Sequence, residues 1–452
     1  MTILSGAITT GIPTFMTAQL NNNLKKQLII DSGELAFERE PLIHSYGFKG
    51  GYITRLWQVI SKLNDASGNS AIGLGVQSPL WSDSRVASAW GESGSSALMY
   101  NLSSRAIQLI NGQSFASPIE MIDNILDEVL KYGAKITNTP DLRKTFALNA
   151  LVSIDNAAWL LYAKQNGFTS FDDLVPNEYK KGLSYKNTKV ASVPAISYST
   201  SESEIAKLGD IGYYVIKIKI GSPGSQQEML EKDMQRMSLI HKKLANVRPE
   251  NSPTGKILYY LDANGRYQSK DTLMRYLDHC KKLGAFEQLL IVEEPFPENL
   301  KVDVSDIEVK LAADESAHTD KDALERIEMG YSAIALKPIA KTLSMTMKIV
   351  KVAHEHNIPC LCADLTVNPV LVDWNKSIAA RLAPLPGLED GLLETNGAQN
   401  YKNWNTMVGY HPKGKASWNK PVNGIFNLNK NFYSESAGLF LPLDHYADLF
   451  QH

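Results

Sequence analysis

From Gln27 to Gly91 apolar and polar residues alternate in short runs, LIIDSGELAFERE, then FKGGYITRLWQVISKL, then AIGLGV, which predicts an α+β unit of short strands and turns. Between Ser117 and Gly167 the period changes. In SPIEMIDNILDEVLKYG and DLRKTFALNALVSIDNAAWLLYAKQNG the apolar residues recur at steps of three and four, as helices with one buried face require. Beyond Lys189 short apolar or β-branched runs alternate with amphipathic segments at intervals of roughly 20 to 45 residues, the rhythm of βα units around a parallel sheet. The runs are VASVPAIS (190–197), YYVIKIKI (213–220), ILYYLDA (257–263), LLIVEE (289–294), VKLAAD (309–314), YSAIALK (331–337), IPCLCAD (358–364) and GLLET (391–395). Eight such strands can close a barrel, with chemical groups gathered at the strand C-termini. The last segment, Gln399 to His452, loses this rhythm and is expected to fold back on the N-terminal unit. At 452 residues the chain exceeds what one core usually holds, so the expected division is 1–150, 151–398 and 399–452.

Composition narrows the classes. With 44% hydrophobic and 21% charged residues and a net charge of −2, the chain has no global field for nucleic acid or acidic lipid, so the charges that matter are local. Cys280, Cys360 and Cys362 cannot all pair, and a C-x-C without nearby partner ligands makes no zinc site, which points to a reducing compartment. The start, MTILSGAITTGIPTFMTAQ, has no basic n-region and reads as a disordered or tagging tail. Nothing downstream reads as an apolar run of the ~18 residues a membrane span needs. A cytoplasmic location without membrane contact is the expectation.

Local charge does appear where apolar strands should not carry it. In Val215-Ile216-Lys217-Ile218-Lys219-Ile220 alternation puts both lysines on one face and the isoleucines on the other, so in a barrel Lys217 and Lys219 point inward. Asp262, Glu293 or Glu294, and Asp314 then close three successive strands. Each alone could be a helix cap. Together they form a converging set of oxygen ligands that suits a hard cation such as magnesium. Lys337, ending YSAIALK before Pro338, would stand across the barrel from Lys219. Burial, a neighbouring Lys217 and a divalent ion would all disfavour its ammonium form, as a lysine base requires.

These segments, SIDNAAWLLYAKQNG, VIKIKIG, LDANGRY, IVEEPF, LAADES and IALKP, resemble the enolase superfamily, most of all its muconate-lactonizing and dipeptide epimerase-like subgroup. The resemblance covers about Ala150 to Ala398. It implies an α/β fold, a modified TIM (β/α)7β-type barrel with an α+β N-terminal capping domain. It further implies Asp262, Glu293 and Asp314 as ligands of Mg2+ (with Mn2+ as an alternative), Lys219 and Lys337 as the acid/base pair, and Lys217 as an auxiliary cation. Asn264 would orient ligand or substrate oxygens. Glu294 is set aside because alternation turns it to the other face. The implied chemistry is proton abstraction α to the carboxylate of a small molecule through an enediolate. A racemase or epimerase of an amino-acid derivative is the leading outcome. A syn-dehydratase like o-succinylbenzoate synthase, a cycloisomerase, an acid-sugar dehydratase and a non-catalytic barrel are the alternatives. A homo-oligomer is also implied.

Departures from the family pattern are informative. The seventh strand reads CLCADLT and lacks the histidine of the mandelate-racemase subgroup, while His354 and His356 fall at a helix end. LLETNG replaces the Asp-x-Asp of dipeptide epimerases, leaving Glu394 as a candidate for a substrate ammonium, and PIAKTLS replaces the glycine pair after the sixth-strand lysine. Asp364 is an extra acid, suited equally to substrate contact or helix capping. Specificity loops are expected at SYGFKGGYI (45–53), flexible at Gly50 and Gly51, and in a long insertion at 78–96. Phe48, Trp81 and Trp90 are candidate pocket walls, and Lys49 and Arg85 candidate carboxylate contacts on charge alone.

Overall fold

The computed structural model describes residues 26–48 and 51–451. Where the N-terminal alternation predicts short strands, β1 (Leu28–Ile30) is followed by two long ones, β2 (Ser32–Phe48) and β3 (Gly51–Asn64), paired as one antiparallel hairpin. Their register slips once, between Pro41 and Tyr46, because proline has no N–H to give the ladder. β4 (Ser70–Gln77) completes a sheet of order β2-β3-β4, and β5 (Gln113–Phe115) pairs with β1.

The segment 78–96, expected to be a loop, is helical: α1 (Pro79–Ser82) and the first part of α2 (Ser84–Ile110). Pro79 sets the first turn of α1, and the Asp83 carboxylate caps α2 by accepting from Arg85 N. Gly91, at φ 69°, kinks α2 where the Ser- and Gly-rich sequence shows no apolar stripe.

After α3 (Pro118–Thr137), α4 (Lys144–Asn166) lies flat on β4. A Cβ at Gly73 would come within 2.2 Å of Ala157 N and Ser153 O, so only glycine allows this approach. α4 is also long and apolar enough to cross a membrane, correcting the expectation that no run reaches that length, but its apolar length is wholly buried in the protein. Its far side meets the barrel, where Trp159 Nε1 donates to Ser344 Oγ at 3.0 Å and Asp155 accepts from Ser344 N at 3.0 Å.

The barrel strands are β6 (Lys189–Val193), β7 (Ala195–Ile196), β8 (Val215–Lys219), β9 (Leu258–Asp262), β10 (Leu289–Glu293), β11 (Leu311–Ala313), β12 (Ala333–Leu336), β13 (Cys360–Cys362) and β14 (Gly391–Glu394). All eight expected runs are present, each shorter than its apolar run. Pro194 divides the first into β6, which pairs with β14, and β7, which pairs with β8, so the parallel sheet closes on itself. Alternation holds strand by strand. Ile216, Ile218 and Ile220 join the outer core with the helices, whereas Val215, Leu258, Tyr260, Ile291, Ala312, Ala335 and Leu392 fill the interior. β15 (Ile425–Asn427) pairs antiparallel with the edge of β6, and its Ile425 joins the interior cluster. The C-terminal segment also reaches the hairpin: Leu42 bridges Tyr401, Lys402 N donates to Pro41 O at 3.0 Å, and His445 lies 3.0 Å from Glu38. The three cysteines are buried and unpaired.

Candidate active site

Each charged residue at the barrel mouth continues the inward parity of its strand. Val215, Lys217 and Lys219 share one face of β8, Leu258, Tyr260 and Asp262 one face of β9, and Ile291 and Glu293 one face of β10. Register then sets the level, with Lys219 paired with Asp262 and Asp262 with Glu293. Lys217 Nζ lies 2.8 Å from Asp262 Oδ2, 2.6 Å from Glu293 Oε2 and 2.9 Å from Glu394 Oε2. Lys219 Nζ donates to Asp262 Oδ2 at 2.5 Å and Asn264 Oδ1 at 3.0 Å. On the opposite side Lys337 donates to Asp314 Oδ2 and lies 3.9 Å from Glu293 Oε1.

Burial alone would strip the charge from Lys217 and Lys337, but the carboxylates win. Asp262, Glu293 and Glu394 hold the Lys217 ammonium well above the ordinary range, and Asp314 and Glu293 raise Lys337. Burial pushes Asp262 up, yet Lys217 and Lys219 outweigh it and hold the carboxyl down at about 2. Glu293 is raised, first by burial and then by Asp262 and Asp314, whose charges it shares space with.

Lys219 and Lys337 face one cavity of about 30 Å³ with Ser78, Trp81, Asp364 and Glu394. Asp364 takes part in this wall and does not cap the following helix, whose N-cap is Asn368; its carboxylate accepts from Leu365 N and Asn396 N. Burial, then Glu394, raises it to about 7. Glu394 accepts from Lys217 and from Asp364 N, so it is tied to the barrel interior. Trp81 closes the other wall, its ring 4.7 Å from the Lys337 ammonium and its Nε1 3.4 Å from Asp314 Oδ2.

The other candidates do not line this cavity. Asn264 adopts φ 46° and joins Lys219 to Glu315 Oε1, facing a different cavity of about 210 Å³ with Arg143, Arg266 and Glu298. Arg85 is committed to Asp83 and Asp141, which corrects its reading as a substrate contact, and Trp90 donates to Thr137 O on a half-exposed surface. Phe48 ends β2 opposite Gly51, while Gly50 and Lys49 lie outside the described residues. Glu294 turns away as alternation requires and receives Asp314 N and Ser316 N.

Three neighbours escaped the sequence reading. Tyr260, whose hydroxyl donates to Glu293 Oε2, was legible from its parity with Asp262. Glu315 and Lys341 were not, because their positions depend on turns after the strands.

The donor set fits a divalent cation. One oxygen each of Glu293, Asp314 and Glu315 lies within 4.8 Å of the other two. Glu293 Oε1 is buried without a hydrogen bond among the described residues, and Asp314 Oδ1 likewise has none, its neighbour being the Lys341 ammonium 3.2 Å away. Hard oxygens in this number suit magnesium. Asp262 stands beside this group, its Oδ2 taken by the two lysines.

Residues 202–391 match the family described as Enolase C-terminal domain-like. A search of curated protein sequences found no match. Among solved structures, 2-chloromuconate cycloisomerase from Rhodococcus opacus 1CP is 16% identical with a TM-score of 0.61, covering 88% of this chain and 94% of its own. A mandelate racemase/muconate lactonizing protein from Herpetosiphon aurantiacus is 15% identical, with a TM-score of 0.60 and coverage of 89% and 96%. The dipeptide epimerase from Enterococcus faecalis V583, complexed with Mg and L-Leu-L-Tyr, is 17% identical, with a TM-score of 0.58 and coverage of 83% and 92%. At these identities the likeness is one of fold.

Proposed function

We propose that the chain, whose residues 202–391 match the Enolase C-terminal domain-like family, is an enzyme of the enolase superfamily that removes the proton α to a substrate carboxylate and returns it on the opposite face, as a racemase or epimerase of an amino-acid derivative. The observation that carries this reading is the pair of buried lysines, Lys219 and Lys337, reaching one cavity from β8 and from the end of β12. A structural barrel gains nothing from cations there, since burying them costs several kcal/mol each, of order, before pairing.

Asp262, Glu293 and Asp314 would hold Mg2+, or Mn2+ in its place. When bound, the ion supplies positive charge to the substrate carboxylate and its developing oxyanion. Lys217, fixed by three carboxylates, adds a second positive charge from inside the barrel. Lys219 takes the α-proton from one face, and Lys337 delivers a proton to the other. For the opposite enantiomer the two exchange roles. Asp364 and Glu394 offer acceptors to the substrate nitrogen, and the dipeptide named with the Enterococcus faecalis structure supports that class.

The test is incubation with Mg2+ in D₂O against N-acyl amino acids, dipeptides and acid sugars, read by NMR as deuterium at the α-carbon. The wild type should exchange a subset of one class. Lys219→Ala should lose exchange from one enantiomer and Lys337→Ala from the other, each by about 10²-fold or more. Exchange accompanied by elimination or ring closure would move the assignment to a lyase or cycloisomerase. Magnesium-loaded protein that exchanges none of them, or exchange indifferent to both substitutions, would refute the lysine-pair mechanism.

A further inference from the structure

Lys341 lies four residues beyond Lys337, at the end of the one-turn helix Pro338–Lys341, and is 1% exposed. Unlike Lys337 it does not line the cavity between the catalytic lysines. Its Nζ lies 2.5 Å from Asp314 O, 3.1 Å from Ala317 O and 3.2 Å from Asp314 Oδ1. An ammonium has three N–H donors, and these three oxygens all belong to the single turn that follows β11. Glu294 holds the same turn from the other direction, through Asp314 N at 2.7 Å and Ser316 N at 3.2 Å. Lys337 and Trp81 take Asp314 Oδ2. Thr342, the next residue, sits at φ 71°, a conformation a β-branched residue keeps only where its surroundings enforce it. Its Oγ1 caps the following helix by accepting from Met345 N at 3.1 Å.

We propose that Lys341 is a positioning residue: from outside the cavity it orients the Asp314 carboxylate toward a bound divalent cation. The inference rests on the metal-site reading of Asp314 given above. An ammonium beside a metal ligand repels the ion, but two of its three contacts are to main-chain oxygens and fix the turn. Losing them frees the turn that aims Asp314, so the net effect of removing Lys341 is weaker metal binding. Partners one layer behind a metal ligand typically change affinity by about 10- to 100-fold.

The test is calorimetric titration of Mg2+ into full-length protein, with no substrate present. Lys341→Met should bind about tenfold more weakly or worse while keeping the wild-type near-UV circular dichroism. Thr342→Val, which loosens the helix start without touching the ammonium, should bind within about twofold of wild type. If Lys341→Met does not fold, Lys341→Gln replaces it with the same expectation. A folded variant without the ammonium that binds Mg2+ as the wild type does overturns the proposal, as does Thr342→Val weakening binding equally. Wild-type protein that fails to bind Mg2+ overturns the metal-site reading itself.

Discussion

Tyr260 carries its polar group into the barrel two residues before Asp262, with its ring 4.7 Å from the Lys217 ammonium and its hydroxyl on Glu293 Oε2. That hydrogen bond, together with Lys217, occupies Oε2 and leaves Oε1 as the oxygen without a donor. Tyr260→Phe should therefore destabilise the metal-free protein by about 1.5 kcal/mol, the lower end for a hydrogen bond to a charged group, because Lys217 still holds Oε2. Urea unfolding with unchanged m-value would measure it, and a loss near zero would mean that the tyrosine does not secure Glu293. The residues with charge in apolar strands, Lys217, Lys219, Asp262, Glu293, Asp314 and Lys337, were legible because a strand's period of two admits no ambiguity about its inner face. Arg85 was misread because charge without a place in a period says nothing about direction. Lys341 was out of reach, since its contact with Asp314 exists only once the chain has turned twice after β11 and β12.

At the scale of elements, α4 joins the small sheet to the barrel, and Asp155 lies in that joint with no exposure. Burial raises its carboxyl to about 7 despite hydrogen bonds from Ser344. An acid whose folded value lies above its unfolded value of 3.8 binds more protons in the folded state between the two, so the contribution of Asp155 to stability is greatest below about 4 and falls as pH rises to about 7. The group's full contribution is at most about 4 kcal/mol. Asp155→Asn should flatten this part of the stability profile in urea titrations across that range; an unchanged slope would show that another group carries it. The elements themselves were unequally legible. α3, α4 and the barrel strands have a clear period. α2 has none, since its apolar positions are diluted by serine and glycine and its axis breaks at Gly91. The β2–β3 hairpin was read as separate short strands because charged residues such as Glu38 and Arg39 interrupt a ladder that nevertheless continues unbroken from Ser32 to Pro41.

For the molecule as a whole, the mouth of the barrel is linked to everything around it. Gln58 on β3 donates to the Tyr401 hydroxyl at 2.9 Å, that hydroxyl donates to Thr366 O at 2.6 Å, and Asn368 Nδ2 returns to Gln58 Oε1 at 2.9 Å. The hairpin, the C-terminal segment and the loop after β13 thus share one buried polar chain, while α4 ties the same sheet to the far side of the barrel. An ion held at Asp262, Glu293 and Asp314, as proposed, would touch only the ends of barrel strands and the turn after β11, yet cooperative coupling of this kind would spread its stabilisation. Binding to the folded state alone adds about 2.7 kcal/mol at a concentration hundredfold above Kd. Magnesium should therefore slow hydrogen exchange in β3 and α4 as well as in β9 to β12, and a chelator should reverse both together. Protection confined to the barrel strands would mean that the small sheet opens independently of the site it borders. In that case Trp81 and Ile53, which the small sheet and its first helix bring to the cavity, would form a wall that can leave while the metal remains, and substrate entry would need no rearrangement of the barrel.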